Sequence, residues 1–415
     1  MKKVLFLSYY FPPDSNVVAQ IAAKFFKYFP RWGWEPILLT KRWIYRGTRD
    51  FSYEQDVPQS AKKFKALNLE PTNLLPWRLK APLDELFAVP DDKILWLPFA
   101  TRKALWLIKN ESIDAIFTMA PPWTDLLIGQ RLKKLTGIPL VIWLGDPWVD
   151  NPYRIYRHQS RYEREVRLEE EVFKSADHIV LAEYFLEGLI QRYPFIKDKA
   201  SVIPHGYDAE DFNLALALLK RRNDKMKEKF RIIYTGSFYG EHSPYPFFAG
   251  LCEILHECPG IKNSLEVIFV GNMTKEILHK ISQDTRLYSV FKYGGVVPHL
   301  AAVKLLLEAD VLLLVIHQAQ KYALTTKLAE YLASGKPILA IVPPDGASAR
   351  LIKQTNSGII VAPEDIQGIK QAILHFYELW KKKSLQIERN WNIVRQFERT
   401  QLTQRLIKIL DQVAS

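Results

Sequence analysis

Cysteine is almost missing from this chain of 415 residues, with only Cys252 and Cys258 present. Their spacing in LCEILHECPG is neither that of a metal site nor a disulfide framework, so two buried thiols in a reducing cytosol are expected. Also missing is any uninterrupted apolar run of roughly 18 residues, the length a spanning helix needs. LLLEADVLLLVI comes nearest, yet Glu308 and Asp310 split it into a helix end and a strand. The opening segment MKKVLFLSYYFPP places two lysines before apolar residues, as a signal peptide does. That run is short, ends in Pro12 and Pro13 and lacks a small-residue cleavage site, so it predicts a first buried strand. Membrane contact is thereby limited to the peripheral kind. No DxD-type motif stands at a strand end, and no metal or other cofactor is expected. Asp91 and Asp92 are adjacent, but their setting reads as a solvated turn. The two basic runs, Lys220 to Arg231 and Lys381 to Lys383, have neither interleaved aromatics nor a groove-reading motif, which argues against nucleic acid as a partner.

What is present is apolar and basic. A hydrophobic content of 48% is enough to build cores and excludes a disordered chain. The net charge of +12 is weighted to the second half, roughly +4 up to residue 210 and roughly +8 beyond it, and suits anionic lipid or a phosphorylated ligand. Eleven Trp, nineteen Tyr and twenty-two Phe would serve stacking, core filling or a membrane interface equally.

Short apolar runs alternate with helical patterns: VLFLSYY, a helix near Val18 to Trp32, PILLT, a helix around Phe99 to Ile108, AIFTM, a helix from Trp123 to Leu135, LVIWL, a charged helix near Arg161 to Phe173, and HIVLA. That rhythm belongs to a parallel α/β sheet. About residues 42–92 it breaks into a basic, aromatic and proline-rich insertion. The insertion carries Lys62, Lys63, Phe64, Lys65, Trp77, Arg78 and Lys80 and reads either as a solvated loop or as a surface for an anionic membrane. The alternation restarts with RIIYTGS, LEVIFVG, VFKYGG, VLLLVI, PILAIV and GIIVA. Two doubly wound Rossmann-like domains are therefore expected, over 1–210 and 211–383, with ligands in a cleft at the carboxyl ends of their strands. Residues 384–415 read as a long amphipathic helical region packing back toward the first domain.

The densest stretch is TTKLAEYLASGKP, Thr325 to Pro337. Thr325 and Thr326 are N-cap candidates, Gly335 fits a left-handed C-cap, and Pro337 stops the helix before the strand ILAIV. Lys327 puts a full positive charge in the first turn, where a cation is disfavoured and an anion would relieve it. Glu330 lies one turn further on, within reach of hydroxyls attached to that anion. A nucleoside diphosphate has this layout, with phosphates at the helix start and ribose beyond.

The succession FPP, PDDKILWLP, TMAPPWTDLLIG, GDPWVDN, VIPHGYDAEDF, YTGSFYGEHSP, FVGN, GGVVPH and TTKLAEYLASGKPI resembles retaining GT-B glycosyltransferases of family four, in particular bacterial ones that build surface polysaccharides. The resemblance implies two Rossmann-like domains facing a central cleft, a sugar nucleotide held by the second and a glycan or lipid-linked acceptor held by the first, in the cytoplasm or at the inner face of its membrane. It also implies residue roles. Glu330 matches the glutamate that contacts ribose, Gly236, Ser237 and Phe238 match the donor loop near the phosphates, and Gly295, Val296 and Val297 match the segment lining the nucleobase. The chain departs from the pattern in four places. Tyr322 stands where a second glutamate is common, and GSFYGEHSP offers only His242 where Arg and Lys are usual. Asp14, Ser15 and Asn16 replace a glycine pair, and His205 stands in for a hinge asparagine.

Glycosyl transfer needs positive charge on a departing diphosphate and a base for the acceptor hydroxyl. Lys327 is assigned the first role, with Lys321 behind it, supported by Thr325, Thr326 and the Ser237 backbone. For the acceptor, Asp146 in LGDPWVDN is the first candidate and Asp125 the second; a loop-capping carboxylate is the other reading of Asp146. Trp123 and Trp148 stack on an acceptor or simply pack. A sugar-nucleotide epimerase of the same fold and a non-catalytic membrane-associated relative are the rival functions.

Overall fold

A computed structural model describes residues 1–42, 49–70, 88–151, 154–182, 185–220, 229–238 and 243–415. The chain forms two compact units, Met1–Pro204 with Arg399–Ser415, and His205–Glu398. Each is a parallel sheet wrapped by helices.

In the first unit the elements run β1 (Lys2–Leu7), α1 (Val17–Tyr28), β2 (Trp34–Lys41), β3 (Lys63–Ala66), α2 (Leu97–Glu111), β4 (Ala115–Ala120), α3 (Thr124–Thr136), β5 (Leu140–Leu144), α4 (Gln159–Ser175), β6 (His178–Leu181), α5 (Leu186–Arg192) and β7 (Ala200–Val202). The sheet order is β3-β2-β1-β4-β5-β6-β7, with every pairing parallel. Its central strands carry buried apolar runs, Val4 to Leu7 in β1 and Leu140 to Leu144 in β5, because helices cover both faces. Phe6, for example, meets Phe26, Phe29 and Phe117 edge-on at 5.1 to 5.6 Å. Where the resemblance led one to expect a glycine pair, Asn16 caps α1 by accepting from the Ala19 N–H, and Asp14 pairs with Lys41 at 2.9 Å. Two strands carry too little apolar sequence to announce themselves. β3 lies inside the insertion and β7 is three residues long. Trp77, Arg78 and Lys80 lie outside the described residues.

The second unit continues with α6 (Ala209–Lys220), β8 (Phe230–Thr235), α7 (Tyr245–Glu257), β9 (Leu265–Val270), α8 (Lys275–Gln283), α9 (Thr285–Val290), β10 (Phe291–Tyr293), α10 (His299–Glu308), β11 (Val311–Val315), α11 (Thr326–Ser334), β12 (Ile338–Ile341), α12 (Ala347–Thr355), β13 (Gly358–Val361), α13 (Ile366–Lys381) and α14 (Trp391–Val394). Its sheet runs β10-β9-β8-β11-β12-β13, again parallel. Cys258 is exposed rather than buried, since it sits at the carboxyl cap of α7, while Cys252 is half-buried.

The tail divides between the two units. Residues 384–398 stay with the second unit, where the Arg389 guanidinium donates to the Leu332 and Lys336 carbonyls at 2.6 Å, and only α15 (Arg399–Val413) belongs to the first. Leu402, Leu406 and Leu410 of α15 are fully buried, and its Asp411 accepts from the Trp34 indole at 3.1 Å.

Candidate functional site

The sequence TTKLAEYLASGKP folds as its residues dictate. Thr325 is the N-cap of α11 and accepts from the Leu328 N–H, and Gly335 closes the helix at φ 75°. The N–H groups of Thr326 and Lys327 have no acceptor within such a helix and stay available at its positive end. Two side chains pin α11 to the end of β8. The Tyr331 hydroxyl accepts from the Thr235 N–H at 3.0 Å, and Lys327 Nζ donates to Tyr234 Oη at 2.8 Å while lying 4.0 Å over the tyrosine ring.

Gly236 follows β8 at φ 139°, and a Cβ there would fall 2.7 Å from Lys327 Nζ. Gly271, which follows β9, is tighter still, since its Cβ would stand 1.9 Å from the Gly236 carbonyl. Only glycine fits these two turns. The backbones interlock by Gly236 N–H to Val270 O and Gly271 N–H to Gly295 O, both 2.8 Å. The loops after β8, β9 and β10 and the start of α11 thus converge at the carboxyl edge of the sheet.

Lys327 dominates the electrostatics. It keeps some accessible surface, yet the protein crowds it enough that loss of water pushes its pKa down to about 7, with Glu330 pulling the other way. Glu330 lies 3.8 Å from His299 Nε2 at the start of α10, and the same nitrogen is 3.1 Å from Asp211. Ser237 Oγ accepts from the Asn272 N–H. Phe238 is buried and stacks on Tyr234 at 4.3 Å, so its ring belongs to the core and its backbone alone can meet a ligand. Val296 is well exposed and Val297 half-buried. Tyr322 is half-exposed beneath Lys321, which pairs with Asp345 at 3.4 Å. His242 lies outside the described residues.

In the first unit the candidates separate. Asp146 follows β5, is exposed, and has no hydrogen-bond or ion-pair partner among the described residues; crowding by the surrounding loop raises its pKa. Asp125 is fully buried, accepts from the Tyr9 N–H at 2.7 Å, and has its pKa held well above the ordinary carboxylate value by burial, with nearby Asp91 adding to it. The Asp91 carboxylate is no solvated turn. It caps α3 by accepting from the Thr124 N–H and hydroxyl at 2.9 and 2.7 Å. Trp148 is buried, with its indole donating to Glu165, and stacks with Trp123 at 6.3 Å, while Arg154 covers Trp123 at 4.5 Å.

Sequence reasoning missed what anchors the GDPWVDN loop. Glu165, fully buried on α4, also binds Arg154 and Arg161, and Glu169 one turn later accepts from the Val149 N–H and the Tyr193 hydroxyl. Burial pushes Glu169 up to about 7. The available signal was the spacing of four between carboxylates on a charged helix that follows the loop. Tyr234 and His299 were in quoted motifs, YTGS and GGVVPH, but nothing local marks them.

Residues 59–211 match the model described as Glycosyltransferase Family 4, and residues 229–378 the one described as Glycosyl transferases group 1. This is a GT-B glycosyltransferase chain. Similar solved structures include sucrose-phosphate synthase from Thermosynechococcus elongatus (14% identity, 99% of both chains covered, TM-score 0.66). Another is Anabaena HepE in complex with UDP (17% identity, 99% of this chain and 100% of that one, TM-score 0.63). A third is WaaG, a glycosyltransferase involved in lipopolysaccharide biosynthesis (14% identity, 99% and 98% covered, TM-score 0.59). No curated protein matches this GT-B chain by sequence. Among its described residues no helix is long and apolar enough to cross a membrane.

Proposed function

We propose that the protein transfers a sugar from a nucleoside-diphosphate sugar to a hydroxyl of a glycan or lipid-linked acceptor, with retention, in the building of a surface polysaccharide. The observation that carries the donor half is the placement of Lys327, the open N–H groups of α11 and Glu330 within one and a half turns, beside the Gly236 turn. Diphosphate oxygens would lie between Lys327 and the helix start, and ribose hydroxyls against Glu330. As the sugar–phosphate bond breaks, negative charge grows on the leaving phosphate, and Lys327 with the helix dipole stabilises it without a metal being called on. Asp146, with a raised pKa and no partner among the described residues, is suited to take the acceptor proton. The crystallised HepE holds UDP or UDP-glucose, which makes UDP-sugars the first donors to try. Retention and the pathway rest on the motif order alone.

The test is a panel of UDP, GDP and dTDP sugars, each with and without a polyprenyl-phosphate sugar acceptor, in the presence and absence of EDTA. Product formed only with acceptor, at a rate EDTA does not change, is expected. Product from donor alone would assign an epimerase. Neither donor binding nor product would leave the fold as a non-catalytic scaffold.

A further inference from the structure

One ring nitrogen in the second unit faces two carboxylates. His299, Val303 and Leu306 recur at helical spacing on α10, as Asp211 and Ala215 do on α6. Val303, Leu306 and Ala215 are fully buried and share one core with Leu328, Ala329 and Leu332 of α11. The polar residues at the heads of these two stripes are thereby carried to the flank of α11, where Glu330 lies. His299 Nε2 is 3.1 Å from Asp211 Oδ2 and 3.8 Å from Glu330 Oε1. The side chains of Asp211, His299 and Glu330 are only 8%, 11% and 15% exposed, so salt and water screen this contact weakly.

Ionised carboxylates only accept, so Nε2 must carry its hydrogen to bond either of them. Asp211 takes the hydrogen bond and fixes the ring. At 3.8 Å the pull on Glu330 is electrostatic, and it turns one carboxylate oxygen toward the ring. A carboxylate has about four acceptor sites, so an approach at one of them leaves capacity for the vicinal hydroxyls of a ribose. A glutamate left to rotate loses that freedom on binding, which weakens its ligand; one already oriented does not. The Asp211–His299 pair by itself would merely hold α6 to α10. The approach of the same atom to Glu330 ties it to the donor. We propose that His299, held by Asp211, is the positioning residue that presents Glu330 to the ribose, and so sets a preference for ribonucleotide over deoxyribonucleotide donors. This rests on the donor reading of Glu330 and adds a residue that acts through it.

The full-length protein is titrated calorimetrically with UDP and GDP, each alongside its 2′-deoxy counterpart. The ratio of deoxy to ribo Kd is read within one protein, so a general loss of stability does not move it. For the nucleotide that binds, the wild-type ratio is expected to be about tenfold, the scale of one hydrogen bond to a charged group. It should fall to about twofold in His299→Ala and in Asp211→Ala, and to about one in Glu330→Ala. His299→Gln places amide N–H donors at similar reach and should restore most of it. Adding His299→Ala to Glu330→Ala should weaken binding no further, because the first acts through the second. A wild-type ratio in His299→Ala or Asp211→Ala, a His299→Gln variant no better than His299→Ala, or further loss in the double variant would overturn the assignment while leaving Glu330 its role. A wild-type ratio near one, a ratio unchanged by Glu330→Ala, or no binding of either nucleotide would overturn the donor reading and the positioning role with it.

Discussion

Replacing Lys327 by Met should stabilise the protein near neutral pH and cripple it as an enzyme. A drop in pKa from 10.5 to about 7 means that charging this amine in the folded protein costs about 5 kcal/mol more than in the unfolded chain. Between the folded and unfolded pKa values the unfolded chain binds more protons, so wild-type stability rises with pH across that window. Below pH 7 both forms are charged and the full penalty remains. From pH 6 to pH 9 the penalty falls by roughly 3 kcal/mol. Met cannot be charged and carries none of it, though it loses the hydrogen bond and ring contact with Tyr234, together about 2 kcal/mol. Urea unfolding of the full-length protein should therefore show Lys327→Met ahead of wild type at pH 6, by about 2 to 3 kcal/mol, with that advantage shrinking by roughly 3 kcal/mol at pH 9. Donor turnover should fall on the order of 100-fold, the size expected when one stabiliser of developing negative charge is removed. Stability gained where activity is lost is the signature of a site strained for its task. A variant that loses stability equally at both pH values, or turns over donor at the wild-type rate, refutes the role given to Lys327.

Tyr234→Phe keeps the ring but removes the hydroxyl that holds Lys327, so the alkaline limb of the pH–turnover profile should move to lower pH, read from initial rates. Gly236→Ala places a Cβ against Lys327 at a positive φ; a stability loss on the order of 1 to 3 kcal/mol by thermal melting should accompany weaker donor binding. Glu165→Ala leaves Arg154, Arg161 and the Trp148 indole without their buried partner and should cost about 3 to 5 kcal/mol by the same measurement.

Strands buried on both faces were easy to read because helix cover makes them continuous apolar runs, as in VLFL, LVIWL and VLLLV. β3 was not, because an edge strand with Lys63 and Lys65 looks like a charged loop. The α11 caps were legible because capping chemistry is local: Thr325 and Gly335 need only their own neighbours. The division of the tail was not, since Arg389 holds its first part to the second unit through contacts 53 and 57 residues distant in sequence. The same distinction runs through the site. Lys327 and Glu330 share one helix and were visible together, whereas Tyr234 and His299 reach them only through the parallel sheet, from 93 and 31 residues away. Composition alone does not tell a stacking tryptophan from a packed one, and the buried acceptor of the Trp148 indole is Glu165, seventeen residues on.

The central claim is that the start of α11 holds a nucleoside diphosphate with Glu330 on its ribose. Isothermal titration of UDP into wild type and into Glu330→Ala, both checked for an unchanged melting temperature, tests it most directly. Measurable binding to wild type and at least a tenfold weaker Kd for the variant, about 1.4 kcal/mol for a lost charge-assisted hydrogen bond, is the predicted result. Equal affinity in the two proteins would contradict it.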